Sequence, residues 1–331
     1  MALPVLSSAR TAAELQTYFQ QSIRLTRGEI ANIRNGVAVS KVLKSREPAE
    51  VFVFGAVRVN AAPEAYLRFA NDFDRLRRLP GFLAVGKFSD PPKISDLAGF
   101  DLDSDDIAAL KDCQPRDCDV QVPANAMTSI QKSVEWSAPS AGGQVNRLLR
   151  QGIVNRLQAY LHEGNPALGT YDDEEHPTDV SRRFQYLLSY SAAFPKYVPD
   201  LHQYLLAYPA AKPAAAEDKF YWAKVKFGLK PTLRVIQMVT LAGRSAKEPA
   251  YAVAEKQLYS SHYFNTAIDL TFCIRDGGGF YLVKAMGSEQ AGLTGMTGSI
   301  LRRVVVSRTA SSLENSLNAI KTALEKEQGS R

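Results

Sequence analysis

Between residues 220 and 287 the chain offers five strand-like runs and no connection long enough to hold a helix. They are FYWAKVKF (220–227), PTLRVIQMVTLA (231–242), AYAVAEKQLY (250–259), YFNTAIDLTFCIR (263–275) and FYLVKAMG (280–287). Parallel neighbours need a crossover of about a dozen residues or more, so these strands are expected to pair antiparallel. The spacer DGGG (276–279) is a hairpin signal, since glycine reaches the positive-φ conformations of tight turns.

The N-terminal side adds two strands. In VAVSKVLK (37–44), Val37, Val39 and Lys41 share one face and Ala38, Ser40 and Val42 the other. A second strand runs over 50–60, after a turn marked by Glu47 and Pro48, and should pair with the first. Pro63 suits the first turn of a helix, whose packing face is Tyr66, Leu67 and Phe69. LAVGKFS (83–89) is a further short strand. Ahead of all these, 11–35 reads as helical, with Thr11 and Glu14 spaced as a capping box and Gly36 as its stop.

From 91 to 217 the pattern turns helical. A helix over 104–111 is expected with Ser104 as its cap. NRLLRQGIVNRLQAYLHEG (146–164) sets Leu148, Leu149, Ile153, Leu157, Tyr160 and Leu161 on one side and stops at Gly164. Further helices are expected over 178–190 and 199–207, and PAAKPAAAEDK (209–219) reads as a linker. At the C-terminus, Leu293, Met296, Ile300 and Val304, then Leu313, Leu317, Ile320 and Leu324, recur at steps of three and four. One kinked helix over about 292–326 accounts for both stripes. The alternative makes ILRRVVVSR a strand, followed by a shorter helix that starts at SSLE (311–314).

Four segments follow: a helical lead-in (1–36), a first αβ part (37–90), a mainly helical insertion (91–217), and the remaining strands with the long last helix (218–331). The fold class is α+β, with a curved antiparallel sheet wrapped on a long C-terminal helix. With the insertion set aside, VRVNAAPEAYLRFANDFDRLRRLPGF (57–82) and the terminal strands feeding a long helix resemble the helix-grip fold of the START-like superfamily, which includes the polyketide cyclases. That resemblance covers residues 37–89 and 218–326. It implies a cavity between sheet and helix for a lipid, sterol, quinone or polyketide-like molecule, carried without chemistry or cyclised there. The insertion and the helix before the first strand depart from the common pattern.

Composition sets limits. Hydrophobic residues make up 45% and charged residues 22% of 331, which is enough apolar material for a full core and argues against disorder. The net charge of +6 comes from 40 basic and 34 acidic residues, well mixed, with no long Lys/Arg run. Nucleic acid is therefore not an expected partner, whereas transient contact with an anionic membrane surface is compatible. No 18-residue apolar stretch suggests a membrane span. Cys113 and Cys118 flank a short proline-containing loop. They fit either a small disulfide, as in an oxidising compartment, or two free thiols; no further Cys or His lies near enough to complete a zinc site. ALPVLSSA at the start suits a periplasmic or secreted chain whose leader has been exchanged for Met1, or equally a cytoplasmic one.

Candidate ligand-binding residues are polar groups set in apolar strands. Arg58 shares a strand face with Phe52, Phe54 and Asn60, and Tyr66 follows on the helix. Arg234 and Gln237 interrupt their strand at an odd spacing, so they point to opposite faces. Tyr259, His262, Tyr263 and Asp269 form the richest polar and aromatic stretch, with His and Tyr as candidate acid/base groups in the cyclase reading. Ser261 and His262 are adjacent and would point apart on a strand, and no Gly-x-Ser-x-Gly elbow exists, which speaks against a serine triad. TYDDEEHPTD (170–179) lacks the alternate spacing of a Ca²⁺ loop and reads as a solvated loop. GLTGMTGS (292–299) lacks the Gly-Lys-Ser/Thr of a phosphate cradle and suits close packing or a lid hinge; Arg302 and Arg303 after it are candidates for an anionic headgroup. No metal, cofactor or catalytic residue is assigned. An interaction module working through the insertion is the remaining reading, and an apolar patch exposed on 146–207 would be its mark.

Overall fold

The computed structural model describes residues 14 to 329 apart from 80, 192, 228–229, 246–247 and 294. The chain opens with helix α1 (14–21) and α2 (Arg27–Arg34). The expected single helix is thus broken. Thr26 caps α2 through a reciprocal box with Glu29, which fixes a new start there, and Arg24 adopts a positive φ just before it. The proposed Thr11 cap lies outside the described residues.

Strands β1 (Val39–Leu43) and β2 (Glu50–Val59) follow, then α3 (Pro63–Ala70), the single turn α4 (Phe73–Leu76) and β3 (Phe82–Lys87). The helical region holds α5 (Ser104–Asp112), α6 (Ala124–Ser133), α7 (Ala141–Glu163), the two-residue strands β4 (Thr170–Tyr171) and β5 (Thr178–Asp179), α8 (Val180–Leu188), α9 (Ala193–Tyr197) and α10 (Pro199–Ala207). Ser104 is the first helical residue of α5 and Asp103 its N-cap, so the expected cap shifts by one. The last part comprises β6 (Ala216–Phe227), β7 (Lys230–Ala242), β8 (Tyr251–Ser260), β9 (Phe264–Asp276), β10 (Gly279–Gln290) and α11 (Gly295–Gly329). Residues 300–306 are helical, not a strand, and SSLE lies inside α11 without starting anything.

Eight strands form one open antiparallel sheet in the order β1-β2-β10-β9-β8-β7-β6-β3. Alternation gives the sheet two distinct faces. Val51, Val53, Val57 and Val59 of β2 face Leu313, Leu317, Ile320 and Leu324 of α11 and Tyr66 and Phe69 of α3. Close approach is possible because β2 has Gly55 at the crossing; a Cβ there would stand 2.7 Å from Leu317 Cδ1 and 2.9 Å from Leu313 Cδ2. The other face is covered twice. Leu15, Phe19, Ile30 and Ile33 of α1 and α2 pack on Phe54, Ala56 and Val283. The helical region covers the rest: Ile153, Leu157, Phe184 and Leu201 share a core with Val235, Val239, Ile268 and Leu270.

The insertion is therefore the second layer on the sheet. Among the described residues, no large hydrophobic between 146 and 207 is exposed, so the patch sought for an interaction module is absent there. No described helix is long and apolar enough to cross a membrane.

Candidate functional site

The α11-facing side of the sheet is apolar except for a row of charges crossing four neighbouring strands: Arg234 on β7, Glu255 on β8, Asp269 on β9 and Lys284 on β10. The strand period of two puts them among Ile236, Met238, Val253, Cys273 and Leu282. Register aligns them. Glu255 stands directly opposite Asp269, and Lys284 opposite Thr271, one step diagonal to Asp269. Lys284 also lies opposite Gly55, beneath the crossing of α11.

Aromatic hydroxyls and an amide meet the row at its sides. Tyr221 Oη donates to Glu255 Oε1 at 2.6 Å, and Phe73 packs edge-on against the Tyr221 ring. Arg234 Nε donates to Gln257 Oε1 at 3.0 Å. Tyr66, on α3, feels Lys284, Glu255 and Thr271. Asp269 and Lys284 differ from these: among the described residues neither makes a direct hydrogen bond or ion pair, and the charges nearby act on them at longer range. All four charged residues keep partial access to water.

The electrostatics follow from burial and crowding. Burial pushes the Asp269 carboxyl above its ordinary range, Glu255 adds to the rise, and Lys284 and Arg234 oppose it. Burial by itself would lower Lys284, yet Tyr66, Glu255 and Asp269 together hold its ammonium above the usual value. Burial, with Glu255 and Cys273, raises the Tyr66 phenol to about 12 against the pull of Lys284, so it is a neutral donor at pH 7. Two carboxyls side by side on adjacent strands are costly unless a proton or a cation is shared. The arrangement places donors and acceptors side by side on a face otherwise packed by α11 and α3.

The sequence-chosen residues separate into three places. Tyr66, Arg234 and Asp269 meet at this row. Arg58 lies on the opposite face and is engaged with Asp276 at 2.8 Å and with Asn60, at the end of the strand. Gln237, Tyr259, His262 and Tyr263 belong to the insertion side. Gln237 accepts from Tyr160 Oη at 2.6 Å and donates to Asp218 Oδ1 at 2.7 Å. Tyr259 packs on Phe100 and Tyr171. His262 bridges Asp119 O at 2.8 Å and Asp106 Oδ2 at 2.9 Å, and Lys230 reaches the same Asp106 at 3.3 Å. Burial would raise Asp106, but His262 and Lys230 overcome it and hold the carboxyl low. Tyr263 turns the chain between β8 and β9 at a positive φ, and its hydroxyl accepts from Lys230 N. Tyr259 and His262 thus lie away from Asp269, on the other side of the sheet, and do not form one acid/base centre with it.

Cys113 and Cys118 are joined in a disulfide next to α5. Among the described residues, no group of three or more His, Cys, Asp or Glu is placed to hold a metal ion.

Glu255 and Lys284 escaped the sequence reading, although a signal existed. Each interrupts an apolar stretch of its strand, AYAVAE and FYLVKAM, at the same parity as its inward-facing neighbours. Lys256 escaped it too. It is fully buried on the insertion side, where Nζ donates to Tyr160 Oη at 3.0 Å and to Asn165 Oδ1, with the Phe184 ring 4.1 Å away. Burial drives its pKa well below the usual lysine value.

Two hollows among the described residues lie elsewhere, and neither is lined by the charged row. An apolar one of about 90 Å³ lies between α1, α9 and the sheet, lined by Leu15, Tyr18, Phe54, Phe194, Tyr197 and Phe272. It is smaller than the roughly 300 Å³ at which drug-sized sites begin. An open recess of about 460 Å³ beside the start of α6 carries Arg116, Asn125, Arg156 and Asp172. No model of a known protein family matches the chain, and no curated protein matches it in sequence.

Proposed function

We propose that this chain is a START-like, helix-grip binding protein that holds a hydrophobic or amphipathic small molecule between the sheet and α11. The observation that carries this reading is the charged cluster Arg234, Glu255, Asp269 and Lys284 on the otherwise apolar α11-facing side of the sheet, in which, among the described residues, Asp269 and Lys284 have neighbouring charges but no direct hydrogen bond. Charges set among apolar side chains are costly unless hydrogen-bonded, and the opposite charges of this cluster offset only part of that cost. A ligand's polar end, with its hydration, supplies the missing partners. The apolar residues around the row, Ile236, Met238, Val253 and Leu282, suit the rest of such a molecule.

Native mass spectrometry after gentle purification tests the reading. The expected result is a co-purifying small molecule, or saturable binding from a panel of lipids and quinones. Lys284→Met should weaken that binding about tenfold or more, the order expected for one charged hydrogen bond of about 1.5–3 kcal/mol. Absence of any bound molecule and of any binding from the panel would remove the reading.

A second reading has one observation in its favour: Glu255 and Asp269 face each other across adjacent strands, and Asp269 is raised. Such a pair can hold a proton and pass it, as a cyclase-type enzyme requires. Tyr259 and His262 have no part in it. In this case the bound molecule changes mass with time and Asp269→Asn stops the change while leaving binding intact.

A further inference from the structure

The first half of α11 carries a feature that neither ligand reading uses. Ile300, Leu301 and Val304 are 67%, 49% and 42% exposed, three aliphatic side chains within one helical turn. At 100° per residue they span one arc, opposite the arc of Val306, Leu313 and Leu317 that packs on the sheet. The same exposed arc one and two turns later carries Ser307 and Ser311, as a solvated face does. The apolar group is therefore confined to the start of the helix.

Its surroundings are basic. No acid occurs from residue 290 to 313, while Arg302, Arg303 and Arg308 do. Arg302 is committed to the fold, donating to Pro48 O, Ser45 Oγ and Glu50 O. Arg303 and Arg308 are exposed beside the apolar arc. Strand β1 and the residues just after it run alongside, fastened to α11 by Ser40 on Glu314 and by Ser45 on Arg302. Between those two points they expose Val42 (40%) and Lys44.

We infer that this edge, made by the first turns of α11 and the end of β1, docks the protein on an anionic lipid surface. Charge complementarity selects the occupant. An aliphatic group small enough to enter the headgroup boundary, ringed by Arg303, Arg308 and Lys44 with no acid in the helical segment, matches the two-part requirement of interfacial binding. Glu47, beside the Arg302 contacts, is engaged by Arg183, so the rim is basic in net charge, which a hydrophobic protein partner would not call for. The inference stands on the surface of α11 and does not need the ligand reading to hold.

Vesicle co-sedimentation of the whole chain is the test, using phosphatidylcholine vesicles with and without phosphatidylserine. The expected result is binding to the phosphatidylserine vesicles only, lost at high salt. Ile300→Ser with Leu301→Ser should reduce it about tenfold or more. Arg303→Glu should reduce it several-fold at low salt. Leu83→Ser, which removes an equally exposed side chain on β3 (55%), should leave it unchanged. The substituted residues are exposed, so unfolding midpoints serve as the check that the fold is intact. Three outcomes would overturn the inference: no binding of the native chain to phosphatidylserine vesicles at low salt, equal binding by the Ile300→Ser/Leu301→Ser and Arg303→Glu variants, or a vesicle-free dimer that Ile300→Ser with Leu301→Ser converts to monomer.

Discussion

A single carboxyl shows how strongly position decides behaviour in this molecule. Asp173 lies in the acidic stretch 172–175, which reads as solvated, yet it is buried against the turn that carries His262. Burial pushes its pKa to about 7, and Glu174 and Asp172 add to the rise. The unfolded chain ionises this group near its ordinary value of 3.8. The folded state therefore holds the proton longer, and its advantage, present below about pH 4, is lost as pH rises through about 7. Asp173→Asn should flatten that slope: little change at acid pH, and a gain at pH 8 of up to about 4 kcal/mol, from three units at about 1.4 kcal/mol each. Urea midpoints at pH 4 and pH 8 measure it; an unchanged slope between the two would show that Asp173 is not the group responsible. Tyr259 teaches the same lesson in geometry. Strand parity places it with Glu255, but the register breaks between Val235 and Ile236 of β7, where Val235 faces Tyr259 and Ile236 faces Gln257. The extra residue turns Tyr259 to the insertion side, and nothing in LYSSHYFN marks the bulge in advance.

At the scale of elements, the crossing of α11 over β2 is the joint on which the α11-facing core depends, and Gly55 makes it possible. Gly55→Val should lower stability by about 1–3 kcal/mol by pushing Leu313 and Leu317 off the sheet. Because the atoms met first are the ends of leucine side chains, Leu317→Ala should recover part of the loss in the double variant. A double-mutant cycle in urea measures the coupling, and strictly additive effects would contradict the contact. This crossing could be read in outline from the two stripes of α11. The strands β6 to β10 and helix α10 were legible for a related reason, since long apolar runs between turn signals admit few alternatives. Helix α6 was not, because only Met127 and Ile130 of its ten residues are buried, too few to show a period. The break at Thr26 went unread because the capping pattern at Thr11 competes with it and the apolar stripe continues past both. Of the charged row and its surroundings, Arg234 was named as a polar interruption of its strand, Tyr66 from the packing face of its helix, and Asp269 as the acid following the Tyr259–Tyr263 stretch. Their partners Glu255 and Lys284 become visible only once strand order places β8, β9 and β10 side by side.

At the scale of the molecule, the sheet is buried on both sides, and this separates an insertion in the sequence from an insertion in the fold. β3 and β6 are direct neighbours, with Phe88 N donating to Phe220 O, so a short loop spans the gap left by residues 91–217. Chain geometry alone would allow their removal. Energetics argue otherwise. The same region covers Phe52, Val235, Val239, Ile268 and Leu270, and it supplies Tyr160 and Asn165, the hydrogen-bond partners of the buried Lys256 among the described residues. Exposing five large apolar side chains at about 1.5–3 kcal/mol each removes on the order of 10 kcal/mol. That equals the whole stability of an ordinary domain of about 5–15 kcal/mol. A chain with residues 91–217 replaced by a short Gly-Ser loop should therefore show no cooperative thermal or urea transition, while the intact chain unfolds in one step. If the shortened chain melted cooperatively within a few degrees of the intact one, the two faces of the sheet would be independent. The charged row beneath α11 would then owe nothing to the helices on the far side.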